Sequence, residues 1–240
     1  MRSTLSAVLV AAGLVGSSSA GVSSGAVGFS DFGEWLSAGN LPGGDVPDAS
    51  LFDSSLSTLL RTEDFDSLAT GSFASVSNGT AANWWSWTAS SAAGNMNVGD
   101  NAAGRFIASA ASGAAMTIVF NGETSSDGSF VSGLRGIGGG FRFYDAAGNA
   151  INGRLRLTLS DGASVVRNFG SDEAFAGFWL TAPDLTIISL TIEPFGSYAG
   201  TRFVGAHTLY LGYAGVAVPA PGAIALLGAA GLIGTVRRRA

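Results

Sequence analysis

A chain of 240 residues is long enough for one domain with a sizeable core, and its lack of cysteine excludes disulfide staples, thiolate zinc sites, iron–sulfur clusters and cysteine nucleophiles. The formal net charge is −5, and every one of the 12 basic residues is arginine. Four of them, Arg2 and Arg237 to Arg239, sit at the ends, so the stretch that holds all 17 acids carries only eight arginines. That balance of −9 produces a field that repels nucleic acid, and nucleic-acid binding is set aside.

Residues 1–20 have the layout of a secretory signal peptide: Arg2, an apolar stretch over 5–15, then the small residues Ser18, Ser19 and Ala20. Cleavage is expected between Ala20 and Gly21. An uncleaved anchor helix is the alternative, but the apolar stretch is shorter than the ~20 residues a span requires. Residues 21–47 are rich in Gly and Ser and read as a loose leading segment. Over 48–61, Leu51, Leu56, Leu59 and Leu60 fall near helical spacing behind a capping Asp48 or Ser50, which predicts a short helix or turn across one end of the fold.

From there to residue 214 the dominant signal is period-two alternation broken by Gly, Asn, Asp and Ser. In 153–159, Leu155, Leu157 and Leu159 share one face, and Arg154, Arg156 and Thr158 share the other; Asp161-Gly162 supplies a tight turn because glycine accepts positive φ. Over 186–194, Ile188, Leu190 and Ile192 are expected inward and Ser189, Thr191 and Glu193 outward, with Pro194 closing the strand. Further strands are predicted over 105–109, 115–120, 140–144, 174–180 and 207–213, with a turn at 145–149. Short strands without long helices between them predict an all-β, single-domain fold: an antiparallel, jelly-roll-like β-sandwich over 48–214, each sheet with one wet face.

Chemistry-bearing residues are sparse. His207 is the only histidine, no G-x-S-x-G elbow is present, and a histidine-based metal site lacks partners, so no catalytic residue and no metal ligand is assigned. Asp64 and Asp66 alternate on a predicted strand and project from one face, and with Asp172-Glu173 they offer oxygens to calcium. Paired exposed carboxylates are also ordinary on an acidic protein, and no cofactor is assigned. Three of the five tryptophans crowd into "NWWSW". Strand geometry puts Trp85 and Trp87 on one face and Trp84 on the other. Either that face is core, the favoured reading, or Trp84, Trp85 and Trp87 form a platform on which sugar rings stack.

The C-terminal 215–240 carries the most specific signal. Val218-Pro219-Ala220-Pro221 precedes fifteen uncharged residues over 222–236, then Arg237-Arg238-Arg239. As a helix, fifteen residues reach ~22 Å, and the arginines belong on the cytoplasmic side of a membrane. The Pro-x-Pro, the apolar run and the arginine stop together resemble the PEP-CTERM sorting signal of bacterial surface proteins, with Ala220 in place of the family's usual Glu. The resemblance implies that an exosortase, a membrane enzyme acting much as sortase does, recognises Pro219, Ala220 and Pro221 and processes the tail. Glu63-Asp64-Phe65-Asp66 and Leu209-Tyr210-Leu211-Gly212 are similar to short stretches in the domains that precede such tails. An ordinary C-terminal anchor is the alternative.

The expected function is therefore that of an exported, non-enzymatic protein of the cell surface or extracellular matrix. Its partners would be signal peptidase, an exosortase-type enzyme and, transiently, the inner membrane. A carbohydrate-binding module for exopolysaccharide is the second reading, and a secreted hydrolase is the least supported.

Overall fold

The computed structural model describes residues 26–39, 57–78, 86–120, 123–124, 130–170, 175–181, 185–197 and 200–217. Strand β1 (Ala26–Phe29) and helix α1 (Phe32–Ala38) come first, followed by β2 (Ser57–Glu63), β3 (Gly71–Phe73), β4 (Val76–Ser77) and β5 (Trp87–Ser91). Next are β6 (Met96–Asn101), β7 (Gly104–Ser109), β8 (Met116–Phe120), β9 (Glu123–Thr124) and the long β10 (Phe130–Tyr144). The last are β11 (Ala150–Ile151), β12 (Gly153–Leu159), β13 (Ser164–Phe169), β14 (Phe175–Leu180), β15 (Ser189–Pro194) and β16 (Phe203–Ala217).

These strands build two antiparallel sheets. One has ten strands, with the path β1-β14-β10-β16-β7-β6-β3 and with β2 on β16 and β9 and β11 on β10. The other has six, in the order β13-β12-β15-β8-β5-β4. The inner faces share one core: Leu155, Leu157, Leu190 and Ile192 from the smaller sheet meet Phe141, Phe143, Leu209 and Leu211 from the larger. The fold is thus sandwich-like, as the alternation predicts.

The hairpin from β12 to β13 turns at Asp161-Gly162, where Gly162 has φ 88° and the Leu159 N–H donates to the Ala163 carbonyl at 2.8 Å. The turn after β10 is closed by Asp145, whose Oδ1 accepts the Ala147 and Asn149 N–H groups at 2.9 Å each. Strands β10 and β16 pair along their whole lengths, from Phe130 opposite Ala217 to Tyr144 opposite Phe203.

Three expectations are corrected. The leading segment contains β1 and α1. Asp31 caps the helix by accepting the Glu34 N–H at 2.9 Å, and Trp35, Leu36 and Ala38 are buried. The helix predicted over 48–61 is not formed at its described end: 57–61 belong to β2, which pairs with β16, and residues 48–56 lie outside the described residues. The ladder hydrogen bonds offered by β16 outweigh the leucine spacing. Ile188 is 60% exposed, because its neighbour Ile187 takes the core position and donates its N–H to the Leu134 carbonyl at 2.7 Å. Alternation begins only where β15 begins, with Leu190 and Ile192 fully buried.

The outer face of the ten-stranded sheet is not wet over β14, β10 and β16. The Trp179 indole lies flat across two neighbouring strands, over Gly136 of β10 and Gly212 of β16. A Cβ at either position would sit 2.4 or 2.3 Å from a ring atom. Helix α1 covers that ring: Trp35 packs on Trp179 at 5.3 Å between centroids, with Phe32, Phe175 and Tyr210 around the pair. No helix among the described residues is long and apolar enough to cross a membrane, and 222–236 lies outside them.

Substituting Gly136→Ala or Gly212→Ala should therefore force the indole off the sheet, at a cost of about 1–3 kcal/mol in urea unfolding. Gly28→Ala is the control, because its nearest neighbour is 3.9 Å away, and that variant should be as stable as the parent. Equal stability of all three variants would overturn this account of the outer face.

Candidate functional site

The tryptophan cluster divides. Trp84 and Trp85 lie outside the described residues. Trp87 opens β5 and is fully buried in the shared core, so neither of its ring faces is open to a sugar. Its Nε1–H donates to Glu63 Oε2 at 2.9 Å. Glu63 ends β2, in the opposite sheet, so this bond crosses the core from one layer to the other. Its second oxygen accepts the Phe65 N–H at 2.9 Å.

Phe65, fully buried and edge-on to Trp87 at 5.5 Å, has φ 63°, a left-handed conformation that a bulky side chain rarely adopts. The bond to Glu63 and the contact with Trp87 hold it there. Burial pushes the Glu63 carboxyl above the usual carboxylate range, opposed by the Trp87 and Phe65 hydrogen bonds and assisted by the charge of Asp64.

The same turn corrects the strand placement of Asp64 and Asp66. Strand β2 ends at Glu63, so Asp64 and Asp66 do not alternate on a strand; instead Asp64 Oδ1 accepts the Asp66 N–H at 3.1 Å, closing a turn. Asp172 and Glu173 lie outside the described residues, among which no group of three or more acidic or histidine side chains is placed to hold a metal ion.

His207 is built into the sheet. Its Nε2 contacts the Ala103 carbonyl, and Nδ1 lies 3.0 Å from the Thr208 hydroxyl. With Nε2–H donating to the carbonyl, Nδ1 accepts from Thr208, and both ring nitrogens are engaged in the structure. The processing residues Ala20, Gly21, Pro219, Ala220, Pro221 and Arg237 to Arg239 all lie outside the described residues.

Two concave regions lie among the described residues. One, of about 280 Å³, lies under the Asp145 turn beside Phe106 and Tyr144. Those rings stack on each other at 4.0 Å and are almost wholly covered, Phe106 at 5% exposure and Tyr144 at 1%, so they serve packing.

The other region is a wider, open groove of about 410 Å³ at the β12–β13 edge of the six-stranded sheet, lined by Asn152, Arg154, Asn168, Phe169 and Arg202. Arg154 and Arg156 point outward from β12 because the leucines between them point in, and both guanidiniums lie over the Phe195 ring, at 5.0 and 4.5 Å. Arg156 also pairs with Glu193 at 3.0 Å. The Arg202 guanidinium lies 5.8 Å from the Phe143 centroid and donates to the Asn152 carbonyl. Outward arginines on β12 follow from alternation; their stacking on Phe195, and the meeting of Arg154 with Arg202 in the groove, have no local sequence signal.

No protein-family model and no curated protein sequence matches the chain. Among solved structures, a family two carbohydrate esterase from Cellvibrio japonicus is similar over 57% of this chain, at 11% identity and a TM-score of 0.30. The likeness spans 36% of the esterase's chain, about a third of its length, and a superposition so partial leaves the esterase's chemistry with the esterase.

The raised Glu63 carboxyl has a definite consequence for stability. The folded state holds this proton more tightly than the unfolded chain, so its contribution is complete below about pH 4.5 and is lost as pH rises through the folded-state value. Glu63→Gln cannot titrate. The stability of the parent relative to Glu63→Gln should therefore fall from acid to neutral pH, as read by urea unfolding of both proteins at each pH. A constant difference would show that the carboxyl is not perturbed.

Proposed function

We propose that this protein is exported, sorted through its C-terminal tail, and displayed on or released from the cell envelope as a non-enzymatic surface or matrix component. The observation that carries this reading is the run from Val218 to Arg239, with its Pro-x-Pro, its uncharged stretch and its arginine stop, paired with the signal-peptide layout of residues 1–20. The jelly-roll-like winding of the sandwich and the membrane helix over 222–236 belong to the same proposal.

The physical design of the domain is consistent with such a role. A cysteine-free chain outside the cytoplasm has to be held by burial and hydrogen bonding, and here two sheets enclose a continuous apolar core. The last strand, β16, runs to Ala217, and the motif begins at the next residue of the chain. Pro219 and Pro221 cannot donate to a sheet ladder, so they are suitable residues to separate a folded strand from a tail that an enzyme must grip.

Two measurements test the proposal. Material recovered from outside the cytoplasm should begin at Gly21 by N-terminal sequencing; an intact Met1 on all of it would refute the export step. Deleting Arg237 to Arg239, or replacing Pro219 and Pro221, should leave unprocessed protein at the inner membrane in a host that carries an exosortase. Variants that reach the surface with unchanged mass would reduce the tail to a plain anchor.

A further inference from the structure

We infer that the groove at the β12–β13 edge binds an acidic polysaccharide, with Arg154 and Arg202 taking its carboxylates and Asn152 and Asn168 its hydroxyls. This names a partner for the displayed protein, but it rests on the groove's own geometry and is measured on the purified protein, so it stands or falls separately from sorting.

The argument starts from charge. In a central stretch with a balance of −9, this groove contains two arginines and no acid among its described lining residues. Arginine stacked on a ring is held by its flat face, whereas its donors lie along its edge and suit a planar carboxylate. Phe195 holds Arg154 in this way and Phe143 holds Arg202, which reduces the side-chain freedom lost when an anion binds.

The remaining polar lining narrows the class of ligand. Asn152 and Asn168 are exposed amides, and an amide both donates and accepts, as a ring hydroxyl requires. Asn168 stands directly opposite Arg154 in the β12–β13 ladder, so a cationic and a neutral hydrogen-bonding group lie side by side. A ligand that alternates carboxylates with hydroxyls presents both partners on one rigid ring, whereas an acidic peptide holds its carboxylates on flexible arms away from its backbone amides. Nucleic acid, with one charge per ~1.7 Å of duplex axis, meets more of the repulsion from the rest of the domain than a polysaccharide with at most one carboxylate per sugar ring. The groove is open rather than enclosed, which suits a chain that continues past it.

The test is calorimetric titration of the purified full-length protein with polygalacturonate oligomers, neutral dextran and poly-glutamate. Polygalacturonate should bind, and more weakly as NaCl rises from about 0.1 to about 1 M, where the screening length falls from ~10 to ~3 Å. The double variant Arg154→Gln/Arg202→Gln should lose about tenfold or more in affinity, ~1.4 kcal/mol. Because those side chains also pack on Phe195 and Phe143, a second variant, Asn168→Asp, leaves both arginines in place and sets a carboxylate against Arg154. It should weaken binding comparably at an unchanged melting temperature. Absence of polygalacturonate binding, equal affinity for dextran or poly-glutamate, or unchanged affinity in both variants would each overturn the assignment.

Discussion

The outer architecture of the larger sheet depends on one close approach, that of the Trp179 indole to the bare backbones of Gly136 and Gly212. Any side chain at either glycine would raise the ring off the sheet. Lying flat, the ring places Nε1–H where it donates to the Trp35 carbonyl at 2.8 Å, while the Trp35 Nε1–H donates to the Phe178 carbonyl at 3.1 Å. Both buried indole donors are satisfied by each other's chain segment, which removes the penalty that two unpaired N–H groups would impose. A seven-residue helix has no stability of its own in water, where isolated helices shorter than ~12–15 residues are marginal. Helix α1 therefore exists because it is docked, and it is docked because the glycines let Trp179 lie down.

Between the sheets a different constraint operates. Apolar packing is non-directional and tolerates small slides of one layer over the other. The bond from Trp87 to Glu63 does not, because it is short, buried and anchored at the start of β5 and the end of β2. Removing either partner would strand the other in the core, whereas the rest of the interface would merely repack. The left-handed Phe65 belongs to the same unit. Its backbone N–H completes the carboxylate's partners and its ring covers Trp87, so the local strain is offset by burial and hydrogen bonding rather than pointing to a reactive centre.

What could be read from residue order follows from these forces. Strand β12 was legible because burial on one face alone leaves a strict alternation, and its turn was legible because Asp-Gly is selected by backbone conformation within the turn itself. Helix α1 was not, although Asp31 and Glu34 stand at N-cap and N3 as a capping box requires; a seven-residue helix leaves too short a periodic trace among glycines and serines. The wet face expected of every sheet failed over β14, β10 and β16 of the larger one for the same reason, since α1 and its rings cover that part of it. The Glu63–Trp87 bond joins residues 24 apart through the core, and Arg202 meets the Asn152 carbonyl across 50 residues. Pairings of that kind come from topology, which local spacing does not encode.

The position of β16 links the fold to the proposed display. It pairs with β10 on one side along fourteen residue positions and with β2 and β7 on the other, so it is an interior strand of the larger sheet. Its C-terminal end leads in sequence directly into Val218. A load applied through a tail held at the envelope would enter at the end of that strand, along its axis. Such a load shears many ladder hydrogen bonds at once, whereas an edge strand peeled from its end would give them up one at a time. The groove lies on the other layer, at the β13 edge, so a ligand there would not compete with the β16 ladder that bears the load. On that proposal, attachment and contact would fall to separate sheets of one sandwich, joined by the shared core and by the buried bond between Glu63 and Trp87.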